Sequence, residues 1–248
     1  MYILGDIGNT DTKIFLVSTR NKIIKKINFP SKELNQKKLS KYISSLKPNY
    51  KSINKILFCS VVPNTFNIIK KFLSKKTKIN CYEVKNLDIK SLIKIKVNYK
   101  QVGSDRITNA ISLMNNKNNF IILDFGTATT FDVLIKDTYS GGVIAPGIRL
   151  SLGALADKAT LIPKINLKMI RNVIGKDTVS AVRSGFFWGY AGLIDNIIYL
   201  IKKETRKSFK VIITGGFSNL FKKSIKTKVY HNKDITINGL IKISKLIK

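Results

Sequence analysis

A short apolar run, an Asp-x-Gly turn rich in hydroxyl side chains and a second apolar run occur twice in this chain of 248 residues, and that repetition limits the fold more than any other feature. In the first copy Tyr2 to Ile7 leads into DIGNTDTK and then into Ile14 to Val17. In the second, Phe120 to Leu123 leads into DFGTATT and then into Phe131 to Ile135. Apolar runs bounded by Gly, Asn and Asp predict a strand, a tight loop and a strand. Each copy puts an Asp at the end of its first run (Asp6, Asp124) and a Gly two residues later (Gly8, Gly126). Hydroxyls follow at Thr10 and Thr12 in one loop and at Thr127, Thr129 and Thr130 in the other. Such a loop can surround a phosphate with N–H and hydroxyl donors while its carboxylate faces a metal ion or a water. One Asp-x-Gly is an ordinary turn. Two at matched strand ends predict two similar lobes, residues 1–115 and 116–248, facing across a cleft that suits a nucleoside triphosphate and its metal.

The remaining pattern alternates strands and helices, which indicates α/β architecture. Ser31 to Ser45 and Asn64 to Ser74 carry apolar residues at near-helical spacing among lysines, and Ile56 to Val62 reads as a strand. Ile107, Ala110, Ile111 and Met114 predict a helix over 105–114, with Ser104 as its cap and Asp105 in a first turn that favours a carboxylate. Val179 to Lys203 reads as a long helix, Val211 to Ile213 as a strand ending in TGG, and Gly239 to Lys248 as a terminal helix. Ser184 to Ile201 is long enough to span a bilayer, but Gly185, Gly189, Gly192 and Asp195 make it a buried helix instead.

Composition narrows the function classes. The formal charge is +31, from 45 Lys+Arg against 14 Asp+Glu, and the basic residues are 39 Lys and only 6 Arg. A nucleic-acid surface uses the forked guanidinium of Arg more heavily, so this excess reads as lysine drift on tolerant surface sites. The stretch 101–150 balances Arg106, Lys117, Lys136 and Arg149 against Asp105, Asp124, Asp132 and Asp137. Cys59 and Cys81 make no metal knuckle, and the single His231 excludes histidine metal clusters and argues against a Ser-His-Asp triad. No cationic segment precedes the first apolar residues, so a signal peptide is not expected; a cytoplasmic protein without a membrane partner is.

Taken together and in order, DIGNT (Asp6 to Thr10), GSDR (Gly103 to Arg106), DFGTATT (Asp124 to Thr130), GGVIAPG (Gly141 to Gly147), DTVSAVRSG (Asp177 to Gly185), GLID (Gly192 to Asp195) and TGG (Thr214 to Gly216) resemble the type III pantothenate kinases. Those enzymes belong to the sugar kinase, Hsp70 and actin-like ATPase superfamily. The resemblance implies two actin-like (ribonuclease H-like) lobes and ATP-dependent phosphorylation of pantothenate to 4′-phosphopantothenate, the first step of coenzyme A synthesis.

By the same resemblance Asp6, Ile7, Gly8, Asn9, Thr10, Asp11, Thr12 and Lys13 bind the ATP phosphates with Mg2+, and Thr127 contacts ATP. Asp124 holds a monovalent cation, K+ or NH4+. Asp105 is the general base, and Tyr99, Gly103, Ser104, Asp105, Arg106 and Thr178 hold pantothenate. The forked guanidinium of Arg106 suits a carboxylate. The family more often has Ala where Ser104 stands. The Gly215–Gly216 pair could let adenosine lie against backbone, and the family implies a homodimer. Two other readings compete: an accessory regulator of the same family that binds nucleic acid, and a kinase of the superfamily with another small hydroxylated substrate.

Overall fold

In the computed structural model, which describes residues 1–247, the chain runs β1 (Tyr2–Ile7), β2 (Asp11–Val17), β3 (Ile23–Pro30), α1 (Gln36–Leu46), β4 (Lys55–Ser60), α2 (Pro63–Thr77), β5 (Cys81–Glu83), β6 (Lys94–Ile95) and α3 (Ser104–Leu113). It continues through β7 (Asn119–Phe125), β8 (Ala128–Ile135), β9 (Thr138–Pro146), α4 (Ile148–Lys158), α5 (Thr178–Thr205), β10 (Lys210–Gly215), α6 (Ser218–Phe221), β11 (Val229–His231) and α7 (Ile235–Ile243). Two units result. The first holds residues 1–114, 137–139 and the chain from Asp234 onward; the second holds 115–136 and 140–233.

The first unit is built on a sheet of order β3-β2-β1-β4-β5. β1 pairs antiparallel with β2 and parallel with β4, so Asp6 sits beside both Lys13 and Cys59 at the end of the central strand. Central strands covered on both faces must be apolar throughout, and Ile3, Leu4, Ile56, Leu57 and Phe58 are all buried. Leu39, Ile43 and Leu46 of α1 and Phe66, Ile69 and Leu73 of α2, spaced three and four apart, pack into the same core as Ile3, Ile56 and Phe58. Asn35 caps α1 by accepting from the Lys38 amide at 2.9 Å. α2 begins on Pro63, whose missing N–H would have gone unpaired there, and ends with Lys75 and Lys76 against the negative end of its dipole.

The chain from Asp234 onward groups with the first unit and not with residues 140–233. α7 belongs to the first unit. Thr236 Oγ1 meets Asn109 Oδ1 at 2.8 Å, and Lys242 Nζ donates to the Ile111 and Ser112 carbonyls at 3.2 and 2.6 Å. Those two carbonyls lie in the last turn of α3, where a helix leaves acceptors unpaired and welcomes a cation. Ile235, Ile237, Leu240 and Ile243 are buried, so α7 completes the core with α3.

The second unit has the strand order β11-β10-β7-β8-β9. β7 and β8 form the antiparallel hairpin of DFGTATT, and β10 runs parallel to β7. The repeat seen in sequence is thus a repeat of topology: a hairpin, then a later strand laid parallel to the hairpin's first strand. α5 is anchored by a capping box in which Asp177 accepts from the Ser180 amide at 2.8 Å. Its Ser184, Phe187, Ala191, Ile194, Ile198 and Ile201 form a buried stripe. The opposite side leaves Gly185, Trp188, Gly189, Gly192, Tyr199 and Leu200 exposed, so the helix, expected to be buried, is amphipathic. Among the described residues no helix is long and apolar enough to cross a membrane.

Candidate active site

The expected site residues of the first unit lie together, whereas those of the second unit, Asp124, Thr127 and Thr178, stand on separate elements. In the first unit, Asp6 ends β1 with Lys13 Nζ 4.0 Å from its Oδ2 and the Cys59 thiol donating to its Oδ1 at 3.5 Å. Burial pushes the Asp6 carboxyl up to about 6, with Lys13 and the Cys59 thiol pulling it down and the charge of Asp105 adding to the rise. A carboxylate this poorly compensated by protein is suited to a cation. The following loop is closed by the Gly8 amide donating to the Asp11 carbonyl at 3.0 Å, and it leaves Asn9, Thr10, Asp11 and Lys13 exposed. Ile7 and Thr12 face the interior. The Thr12 hydroxyl, expected among the phosphate donors, is instead paired with the Ser31 hydroxyl at 2.8 Å, because alternate residues of β2 point inward.

Asp105 lies in the first turn of α3. The Arg106 amide donates to its Oδ1 at 2.8 Å. Burial raises the Asp105 carboxyl above the usual carboxylate range, and the Arg106 amide and guanidinium and the Lys85 ammonium draw it back in part. Space for that carboxylate comes from Gly103: a methyl group there would stand 2.4 Å from Asp105 Oδ1. Ser104 does not cap the helix as expected. Its hydroxyl accepts from the Ser60 amide at 2.7 Å and donates to the Ser60 carbonyl at 3.0 Å, clasping the start of α3 to the end of β4. β4 therefore touches both acids, through Cys59 to Asp6 and through Ser60 to the residue before Asp105.

Tyr99 opens a short 3-10 turn, 99–101, just before this helix. Its hydroxyl is buried without a hydrogen-bond partner, and burial, with the nearby charge of Glu83, pushes it up to about 12. Glu83 itself is raised by burial and lowered by the Ser104 hydroxyl and the Lys85 and Ser60 amides. Glu83, Lys85, Cys59 and Ser60 were not singled out as site residues from sequence. None stands in a recognisable motif, and they reach the site only because β4 and β5 extend beside β1.

In the second unit Asp124 ends β7 and Thr127 stands exposed at the tip of the β7–β8 hairpin. Gly215 ends the neighbouring strand at φ +85°, and a methyl group there would be 2.5 Å from Asp124 Oδ1 and 2.6 Å from the Phe125 amide. Only glycine tolerates both that angle and that approach. The TGG segment is thereby locked to the Asp124 loop, with the Gly216 amide donating to the Phe125 carbonyl at 3.0 Å. Thr178 is the exposed first residue of α5, next to its cap Asp177. Among the described residues no group of three or more His, Cys, Asp or Glu side chains is gathered to hold a metal by itself. Magnesium shared between one carboxylate and substrate phosphates needs no such group.

The family model for type III pantothenate kinase matches residues 2–199. The type III pantothenate kinase of Pelagibacter ubique (strain HTCC1062) is 66% identical over 248 residues, covering 100% of both chains. Among solved structures, a Baf family protein described as a transcriptional activator from Campylobacter jejuni has a TM-score of 0.62 at 18% identity, over 98% of this chain and 97% of that one. The inorganic polyphosphate/ATP-glucomannokinase from Arthrobacter sp. strain KM has a TM-score of 0.50 at 13% identity, over 98% of each chain. At such identities the two structures speak for the fold alone, the mixed α/β fold of actin-like sugar kinases and ATPases. The full-length match to the Pelagibacter enzyme and the family model together show that this chain belongs to the type III pantothenate kinases.

Proposed function

We propose that Asp105 is the general base and that Asp6 with its loop holds the ATP phosphates, in the ATP-dependent phosphorylation of pantothenate that opens coenzyme A synthesis. The activity follows from family membership. The observation that supports the assignment is the placing of two half-buried carboxylates within electrostatic reach of each other, one at the start of the phosphate-type loop and one in the first turn of α3. Phosphoryl transfer asks the protein for positioning, charge neutralisation and removal of one proton. The primary alcohol of pantothenate gives its proton to the Asp105 carboxylate as its oxygen bonds to the γ-phosphorus, and the bond to the β,γ-bridging oxygen breaks to release ADP. A carboxylate raised by burial is, when ionised, a better base than an exposed one. Lys13 offsets phosphate charge, and Gly103, Ser104, Arg106 and Tyr99 shape the acceptor side. Mg2+, when bound, neutralises part of the phosphate charge; Asp6 fits it as a half-buried carboxylate whose partners, Lys13 at 4.0 Å and the Cys59 thiol, leave acceptor capacity for a cation.

The second-unit roles extend the same proposal: Asp124 with K+ or NH4+, Thr127 with ATP and Thr178 with pantothenate. Support for the Asp124 loop is its tight closure by Gly215. A homodimer and a cytoplasmic location complete the reading, the former supported by Trp188, Tyr199 and Leu200 on the open face of α5; a monomeric mass in sedimentation at micromolar concentration would contradict it. No specific nucleic acid is assigned, since the positive charge is almost all lysine. A duplex that stays bound at physiological salt with sequence preference would overturn that point. The function is tested by supplying ATP, Mg2+ and K+ with pantothenate and, separately, with a panel of sugars and small hydroxy acids. Phosphorylated pantothenate with equimolar ADP is expected; preference for another acceptor would move the chain to a different substrate.

A further inference from the structure

Lys85 carries none of the roles assigned above, yet its side chain is held as a site residue would be. The 3-10 turn over Val84–Asn86 that presents it is fastened by the Lys85 amide donating to Glu83 Oε2 at 2.7 Å. Its Nζ donates to the Lys100 carbonyl at 3.1 Å and stands 5.6 Å from the centre of the Tyr99 ring. An ammonium has three donors, and one carbonyl with one ring face leaves part of that capacity unspent. Lys85 makes no ion pair within 4.0 Å with a carboxylate among the described residues, unlike Lys13, Lys38 and Lys94. Its charge is nonetheless felt at both Glu83 and Asp105, more weakly at Asp105 than that of Arg106.

The position of this ammonium over the Tyr99 ring bears on the substrate. Pantothenate carries its reacting alcohol at one end and its carboxylate at the other. Arg106 directly follows the base in sequence, whereas Lys85 stands over the Tyr99 ring and reaches the Lys100 carbonyl. We propose that Lys85 receives the carboxylate of pantothenate over the Tyr99 ring and so determines specificity for a charged acceptor, an inference that rests on reading Tyr99 to Arg106 as the acceptor site.

The test compares pantothenate with its neutral alcohol analogue, in which the carboxylate is replaced by a hydroxymethyl group, in the wild type, Lys85→Met and Lys85→Arg. Loss of one charge-assisted contact corresponds to about tenfold to a hundredfold in kcat/KM. Lys85→Met is expected to lose that factor for pantothenate, chiefly in KM, and much less for the neutral alcohol, so that discrimination between the two collapses; Lys85→Arg restores most of it. Equal losses on both acceptors would show a merely structural lysine, and no loss on either would remove Lys85 from the site. If instead Asp105→Asn keeps near-normal turnover, the acceptor-site reading itself fails, an outcome separate from the fate of Lys85.

Discussion

Gly103 shows how narrowly the base is placed, because a methyl group at that position would occupy space 2.4 Å from Asp105 Oδ1. Gly103→Ala must displace the carboxylate while leaving the buried face of α3 intact. A displacement near 1 Å at a reacting group costs about a hundredfold in rate. Gly103→Ala is therefore expected to lower kcat to about that extent with little change in thermal unfolding; a normal kcat would show that Asp105 tolerates the shift. The pH profile carries a second signature. Asp105 must be ionised to accept a proton, so kcat/KM rises with pH through its dissociation, and burial moves that rise above the usual carboxylate range. Asp6 and Asp105 were legible from sequence, as acids at a strand end and in a helix first turn. The fates of the Thr12 and Ser104 hydroxyls were not, since Ser31 and Ser60 come from other elements. Lys85 was hidden by composition: among 39 lysines no spacing marks one as held.

At the level of elements, the sequence located β1, β2, β4, β7, β8, β10, α2, α3 and α5, missed β5 and the turn that presents Lys85, and set the terminal helix later than the Ile235–Ile243 of α7. The terminal helix was expected in the second lobe by position in the chain, yet α7 lies on α3 and buries Ile235, Ile237, Leu240 and Ile243. Periodicity shows that a helix has an apolar stripe and cannot show which stripe it meets. Lys242 gives this packing a polar signature through its bonds to the Ile111 and Ser112 carbonyls. Lys242→Met is expected to cost about 1–2 kcal/mol, a drop of a few degrees in Tm, by leaving the end of α3 uncapped. Thermal unfolding checks it, and an unchanged Tm would mean that the contact adds nothing beyond the apolar stripe. Since α3 also carries Asp105, a modest fall in kcat should accompany the change. On α5 the glycines that told against a membrane span, Gly185, Gly189 and Gly192, lie on the open side of the helix.

For the whole molecule, the duplicated strand–loop–strand was the most informative feature, because it recurs as the same strand order about β1 and about β7. The charge of +31 carries less. Both acids of the first cluster are half-buried, and their neighbours Lys13, Lys85 and Arg106 are few and specifically placed. The remaining positive charge supplies a long-range attraction for anionic ATP and pantothenate that salt weakens. The central claim is that Asp105 takes the proton of the pantothenate alcohol, and paired measurements on Asp105→Asn test it: ATP binding by calorimetry and turnover with pantothenate under saturating ATP, Mg2+ and K+. ATP affinity close to that of the wild type with kcat reduced by about a hundredfold or more is the expected result. Turnover within a few-fold of the wild type would contradict it.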